Sequence, residues 1–122
     1  MSHGDGTLWW RLAGIVGALG VALGAFGAHG LKDKVDAVAL GWWDTGSRYH
    51  LVHAVALALV AAHPASPRLA GWLFVAGIAL FSGSLYAMTL TGMRGLGAIT
   101  PLGGLCLIGG WVALASARTP SP

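Results

Sequence analysis

Residues 80–92 read LFSGSLYAMTLTG. They close a long apolar segment, yet Ser82, Ser84, Tyr86, Thr89 and Thr91 all carry hydroxyls. A hydroxyl held in an apolar medium without a partner costs free energy, so these side chains must bond to neighbouring helices or to their own backbone. The composition says what the surrounding medium is. The 122 residues are 56% hydrophobic and 9% charged, whereas a water-soluble domain carries about 25% charged residues. Lipid is therefore the solvent, and at about 20 residues per crossing the chain is long enough for four spans. The expected fold is all-α, a polytopic membrane bundle of four transmembrane helices with a short interfacial amphipathic helix after the first. Residues 1–122 form one integral membrane domain in this reading.

The organising stretch fills the second half of a span expected over about 68–91, with Trp72 near its start. Ahead of it, His63-Pro64-Ala65-Ser66-Pro67 is a tight turn, since proline does not readily continue a helix. So short a link makes the span before it, about 47–62, an antiparallel neighbour. Behind it, residues 92–97 form a turn into a last span over about 98–117. Thr100-Pro101 reads either as an N-cap followed by proline at the first helical position or as a bend in a helix that starts earlier. Gly103 and Gly104 offer close packing, and Trp111 and Arg118 mark the exit.

The first span is expected over about 8–29, with Trp9, Trp10 and Arg11 at headgroup level. Gly17, Gly20, Gly24 and Gly27 follow at helical spacing and lie on one face. Such a face is a tight contact with another helix, in this chain by preference and otherwise in a second copy. Gly30 suits the helix C-terminus. Over 31–43, Leu31, Val35, Val38 and Trp42 make one apolar face beside Lys32, Asp33, Lys34 and Asp36, the pattern of a helix lying in the interface.

Alternating spans bring certain ends to one side of the membrane, and the polar residues fall on those ends. His29, Tyr49, His53, Ser82, Ser84, Tyr86 and Thr100 form the expected polar cluster, with His53 and Ser84 at one depth on adjacent helices. A neutral imidazole supplies one donor and one acceptor, so His53 is suited to pin two helices together. The competing reading is a site for a headgroup, a quinone or a proton path, because ionisable groups inside a membrane are functional candidates. A metal site at His29, His50 and His53 is disfavoured, as no cysteine or carboxylate joins them within the spans. An amino-terminal copper or nickel site at Met1-Ser2-His3 is set aside, because such nitrogen sites arise easily by chance.

The absences exclude several classes. Asp5, Asp33, Asp36 and Asp44 lie outside the expected spans and the chain has no glutamate, which argues against a cation exporter driven by protons. There is no nucleotide-binding loop, no cysteine pair beside Cys106 and no haem motif, so no cofactor is expected. A hydrolase built on His53 and a serine would lack its orienting acid. A net charge of +3 is too small and scattered for nucleic acid, and membrane lipids are the natural partners of the arginines near helix ends.

GAFGAHGLK (24–32), Tyr49 with His53, LFSGSLY (80–86), LTG (90–92), ITPLGG (99–104) and GW (110–111) together resemble an uncharacterised membrane family, domain of unknown function 423. The resemblance runs through nearly the whole chain in order. It implies a four-span protein of the bacterial cell membrane, with the termini in the cytoplasm and no established activity. His29, Tyr49, His53, Ser82, Ser84, Tyr86, Thr100 and Pro101 fall on the family's motifs, whereas position 50 is glutamine in the family pattern and histidine here. The functional expectation is a non-enzymatic accessory or interaction component of the cell inner membrane or plasma membrane, as a homo-oligomer or within a larger membrane complex. The alternative is a binding or transport protein for a lipid, quinone or other small ligand at the His53–Ser84 level.

Overall fold

The computed structural model describes residues 3–119, with side chains from Gly6 onward. Helix α1 is His3–His29, α2 is Ala37–Ala62, α3 is Arg68–Thr91 and α4 is Thr100–Ser116, the last preceded by a 3-10 turn over Arg94–Ala98. No strand occurs among the described residues. The protein is an all-α bundle of the membrane type. The apolar part of α1 (Gly6–His29), α3, and α4 with its preceding turn (Arg94–Ser116) are long and apolar enough to cross a bilayer. α2, with 26 residues, is the polar helix, and it carries Asp44, Arg48, His50 and His53.

The helix expected over 31–43 is not a separate element. Residues 31–36 are turns, and Asp36 then caps α2 by accepting the Ala39 N–H at 2.8 Å. Nothing after it stops the helix, and the Asp44–Arg48 ion pair, four residues apart at 2.7 Å, spans the expected break. α2 therefore starts ten residues before the expected span over 47–62, and Leu31 is buried while Val38 is exposed. α1 likewise starts within the polar lead, at His3.

The helices pack in chain order, α1 on α2, α2 on α3 and α3 on α4. Trp9 and Trp10, expected together at the entry of the first span, differ in their packing. Trp9 packs inside the bundle. It is fully buried, lies over Gly71 and meets the Trp72 ring edge-on at 5.0 Å, whereas Trp10 is exposed. The apolar core joins Trp9 to Leu57, Val60, Phe74 and Leu107, so one residue from the start of α1 reaches across to α3. Within α3, residues Ile78–Ser82 make one wide π-type turn. α3 ends on Gly92, whose φ of 73° is the left-handed conformation that closes many helices and that glycine adopts without penalty.

Candidate functional site

The glycine face of α1 determines what α2 can reach. Gly27, Gly24, Gly20 and Gly17 stand opposite Trp43, Ser47, His50 with Leu51, and Ala54. Both rows follow helical spacing and run antiparallel, so the two faces mesh along their length. A Cβ on Gly24 would lie 2.9 Å from Ser47 Oγ, and one on Gly20 would lie 3.1 Å from the His50 ring. Without side chains there, donors from α2 reach main-chain oxygens of α1. Trp43 Nε1–H donates to Leu23 O at 2.7 Å, and His50 Nε2–H donates to Val16 O at 2.8 Å. Because a carbonyl only accepts, the His50 proton sits on Nε2, and Nδ1 accepts from the Tyr86 hydroxyl of α3 at 2.9 Å. His50 thus ties α1, α2 and α3 together.

The other hydroxyls are distributed along the bundle. Ser82 donates to Gly46 O at 2.7 Å, Thr89 donates to Ala39 O at 3.0 Å, and Ser84 bonds Thr100 of α4 at 2.6 Å. The Thr100 hydroxyl therefore serves Ser84 rather than capping α4, and Pro101 lies in the first turn. Where Ser84 meets Thr100, Gly103 comes so close to α3 that a Cβ would strike the Phe81 backbone. Gly104 is in ordinary contact, 3.8 Å from the Phe81 ring.

His53 faces a different set of groups. Its Nδ1–H donates to Tyr49 O at 2.7 Å, and its Nε2 accepts from Trp111 Nε1–H of α4 at 3.0 Å. An indole N–H only donates, so His53 Nε2 is the unprotonated acceptor, the imidazole is neutral and both nitrogens are engaged. The Phe74 ring lies 5.7 Å from His53 and 5.1 Å from Trp111. Trp111, expected at the exit of the last span, is 40% exposed and gives its N–H to this bond.

The expected single cluster is thus divided. Thr89 faces residue 39, Ser82 faces residue 46, and His53 packs against Phe74. His53 is therefore level with Phe74, which is ten residues and roughly 15 Å from Ser84 at 1.5 Å per residue. The shared depth of His53 and Ser84 fails because α2 starts at Ala37, so His53 lies far deeper along it than a start near Ser47 implied. His29 is exposed at the end of α1 and joins none of these bonds. Tyr49 is 44% exposed and contributes its carbonyl and a ring stacked near His53 instead of its hydroxyl. Among the described residues no three His, Cys, Asp or Glu side chains stand together as a metal site, and Met1-Ser2-His3 lies outside the described side chains.

The expected cluster leaves out His50, because the resemblance implies glutamine at that position. A carboxamide also offers one donor and one acceptor, so the bridge to Val16 and Tyr86 does not require an imidazole. The legible signal was the spacing of Trp43, Ser47, His50 and Ala54, which matches the glycine row of α1 in reverse.

Residues 23–104 match the model of the family described as a protein of unknown function, DUF423. The chain belongs to this family. It is similar to the UPF0382 membrane protein YwdK of Bacillus subtilis, with 48% identity over 84% of this chain and 89% of that protein. It is also similar to a UPF0382 membrane protein of Haemophilus influenzae, with 42% identity over 85% and 87% of the two chains. A fission yeast relative, UPF0382 membrane protein C1782.12c of Schizosaccharomyces pombe, is 38% identical over 86% and 96%. No solved structure matches. These relatives are named as membrane proteins, and the present chain is a small membrane protein of the same uncharacterised family.

Proposed function

We propose that this DUF423 protein is a non-enzymatic accessory or interaction component of the cell membrane, crossing it four times with both termini in the cytoplasm. The observation that carries this reading is the state of His53. Its proton is given to Tyr49 O and its lone pair is taken by Trp111, so neither remains for a substrate. His50 is spent in the same way between Val16 and Tyr86. Groups used like this fix helix register instead of performing proton transfer. A fourth crossing by α2 is supported by its packing between α1 and α3, where Ser47, His50 and His53 meet protein, while the exposed Asp44 and Arg48 neutralise each other. Ile15 and Val21 on α1 and Leu105 and Ile108 on α4 are more than 60% exposed and offer apolar faces to lipid, to a second copy or to a larger complex.

The competing reading, a ligand held between His53 and Ser84, finds no support in this geometry, since the two residues lie at different depths. Native mass spectrometry from lipid nanodiscs tests the proposal, with wild type beside His53→Ala. The expected result is no metal or non-lipid small molecule on either protein, together with lower thermal stability of the variant. A metal or small molecule on the wild type that is lost from His53→Ala would overturn the proposal. The same spectra report whether copies associate.

A further inference from the structure

One cavity is lined by none of the histidines. It has a volume of about 470 Å³ and lies between the C-terminal end of α1 and the first half of α2. Gly24, Gly27 and Ala28 line it from α1, and Leu40 and Trp43 line it from α2. At its rim stand Lys32, from the turn joining the helices, and Asp44. The volume falls within the range of about 300–1,000 Å³ usual for small-molecule sites. The wall is mainly apolar and the rim is charged, which suits an amphiphile.

The charges select its headgroup. The Asp44 carboxylate is already paired with Arg48 at 2.7 Å. Among the described residues no carboxylate lies within ion-pair distance of Lys32. Of the two charged side chains that line the cavity, Asp44 is thus neutralised by Arg48 and Lys32 is left without an ion-pair partner. The position of the rim is also that of a headgroup: α1 ends at His29 and α2 begins at Ala37, so the rim is at the end of the bundle and the apolar wall leads inward. The glycines contribute directly, because side chains at Gly24 and Gly27 would project toward Ser47 and Trp43, where the wall is formed.

We propose that this cavity binds one anionic phospholipid, with its phosphate at Lys32 and the start of an acyl chain along Gly24, Gly27 and Ala28. A lipid is chosen over a soluble phosphate because the apolar wall would be left without an occupant by a small anion. The site goes beyond the accessory role proposed above and does not involve His53.

The test uses full-length protein in nanodiscs containing phosphatidylcholine with a minor fraction of phosphatidylglycerol, followed by native mass spectrometry. Wild type is expected to retain one phosphatidylglycerol preferentially. Lys32→Gln should reduce that preference about fivefold, the worth of one basic side chain at an anionic surface. Ala28→Trp, which fills the cavity from the exposed side of α1, should abolish the retained lipid while circular dichroism and melting show a folded protein. Equal retention of the two lipids by wild type would overturn the proposal, as would unchanged preference in Lys32→Gln or in a folded Ala28→Trp. Displacement of the lipid by inorganic phosphate alone would also overturn it, by assigning the site to a soluble anion. His53→Ala should keep the lipid, which separates this test from that of the accessory role.

Discussion

Two helix pairs in this protein use glycine for close approach, and they use it differently. Between α1 and α2 the glycines of α1 receive side chains: Trp43 at Gly27, Ser47 at Gly24 and His50 with Leu51 at Gly20. Between α3 and α4 the limiting contact is backbone on backbone, where Gly103 meets Phe81 within the wide turn of α3. A side chain can swing away from an added methyl group, at the expense of whatever bond it made. A backbone inside a helix cannot move without moving the helix. The α1–α2 contact is thus a set of separable bridges, whereas the α3–α4 contact adds a backbone stop at Gly103 to its own side-chain contacts, Leu107 at Gly77 and Phe74 at Gly110.

This difference ranks the expected effects of substitution. Gly103→Ala should cost about 3 kcal/mol, the upper end for overpacking a close contact. The neighbouring Gly104→Ala should stay within about 0.5 kcal/mol, as for a site without such a contact. Denaturation in mixed micelles measures both, and equal losses would remove Phe81 as the stop. Gly27→Ala comes next, at about 2 kcal/mol, because Trp43 must leave and its bond to Leu23 O must break. Trp43 fluorescence is confounded by five other tryptophans, so the informative readout is the melting temperature of the double variant Gly27→Ala with Trp43→Phe. If Trp43 is what the methyl group displaces, the two substitutions together should cost less than the sum of each alone.

Smaller effects sharpen the comparison. His53→Ala should destabilise by about 1–2 kcal/mol, since interhelical hydrogen bonds in membranes are worth up to about 1.7 kcal/mol and Trp111 loses its acceptor. Equal stability of variant and wild type would show that the pin holds nothing. His50→Gln should change stability by less than about 0.5 kcal/mol, while His50→Leu should lose about 1 kcal/mol by removing the bonds to Val16 O and the Tyr86 hydroxyl. A thermal shift assay distinguishes these outcomes. If glutamine behaves like leucine, the bridge depends on the imidazole shape as well as on its donor and acceptor.

The residue pattern alone was enough for the solvent, the helical class and the family. Charge content of 9% rules out a water-facing surface, and the motifs from residue 24 to residue 111 carry the family likeness. The glycine row on α1 was equally readable, because helical spacing puts small residues on one face whatever they pack against. The partners were not readable from spacing. Whether Asp36 would start α2 ten residues early depended on a cap whose effect is worth about 1 kcal/mol, and that start shifted every depth along the helix. Only the packed structure could decide that His53 meets Trp111 rather than Ser84 and that His50 bridges to Val16 and Tyr86. Local pattern specifies which side chains share a face, whereas register between helices is set by long-range contacts such as Gly103 on Phe81 and Trp9 over Gly71, whose residues are far apart in the chain.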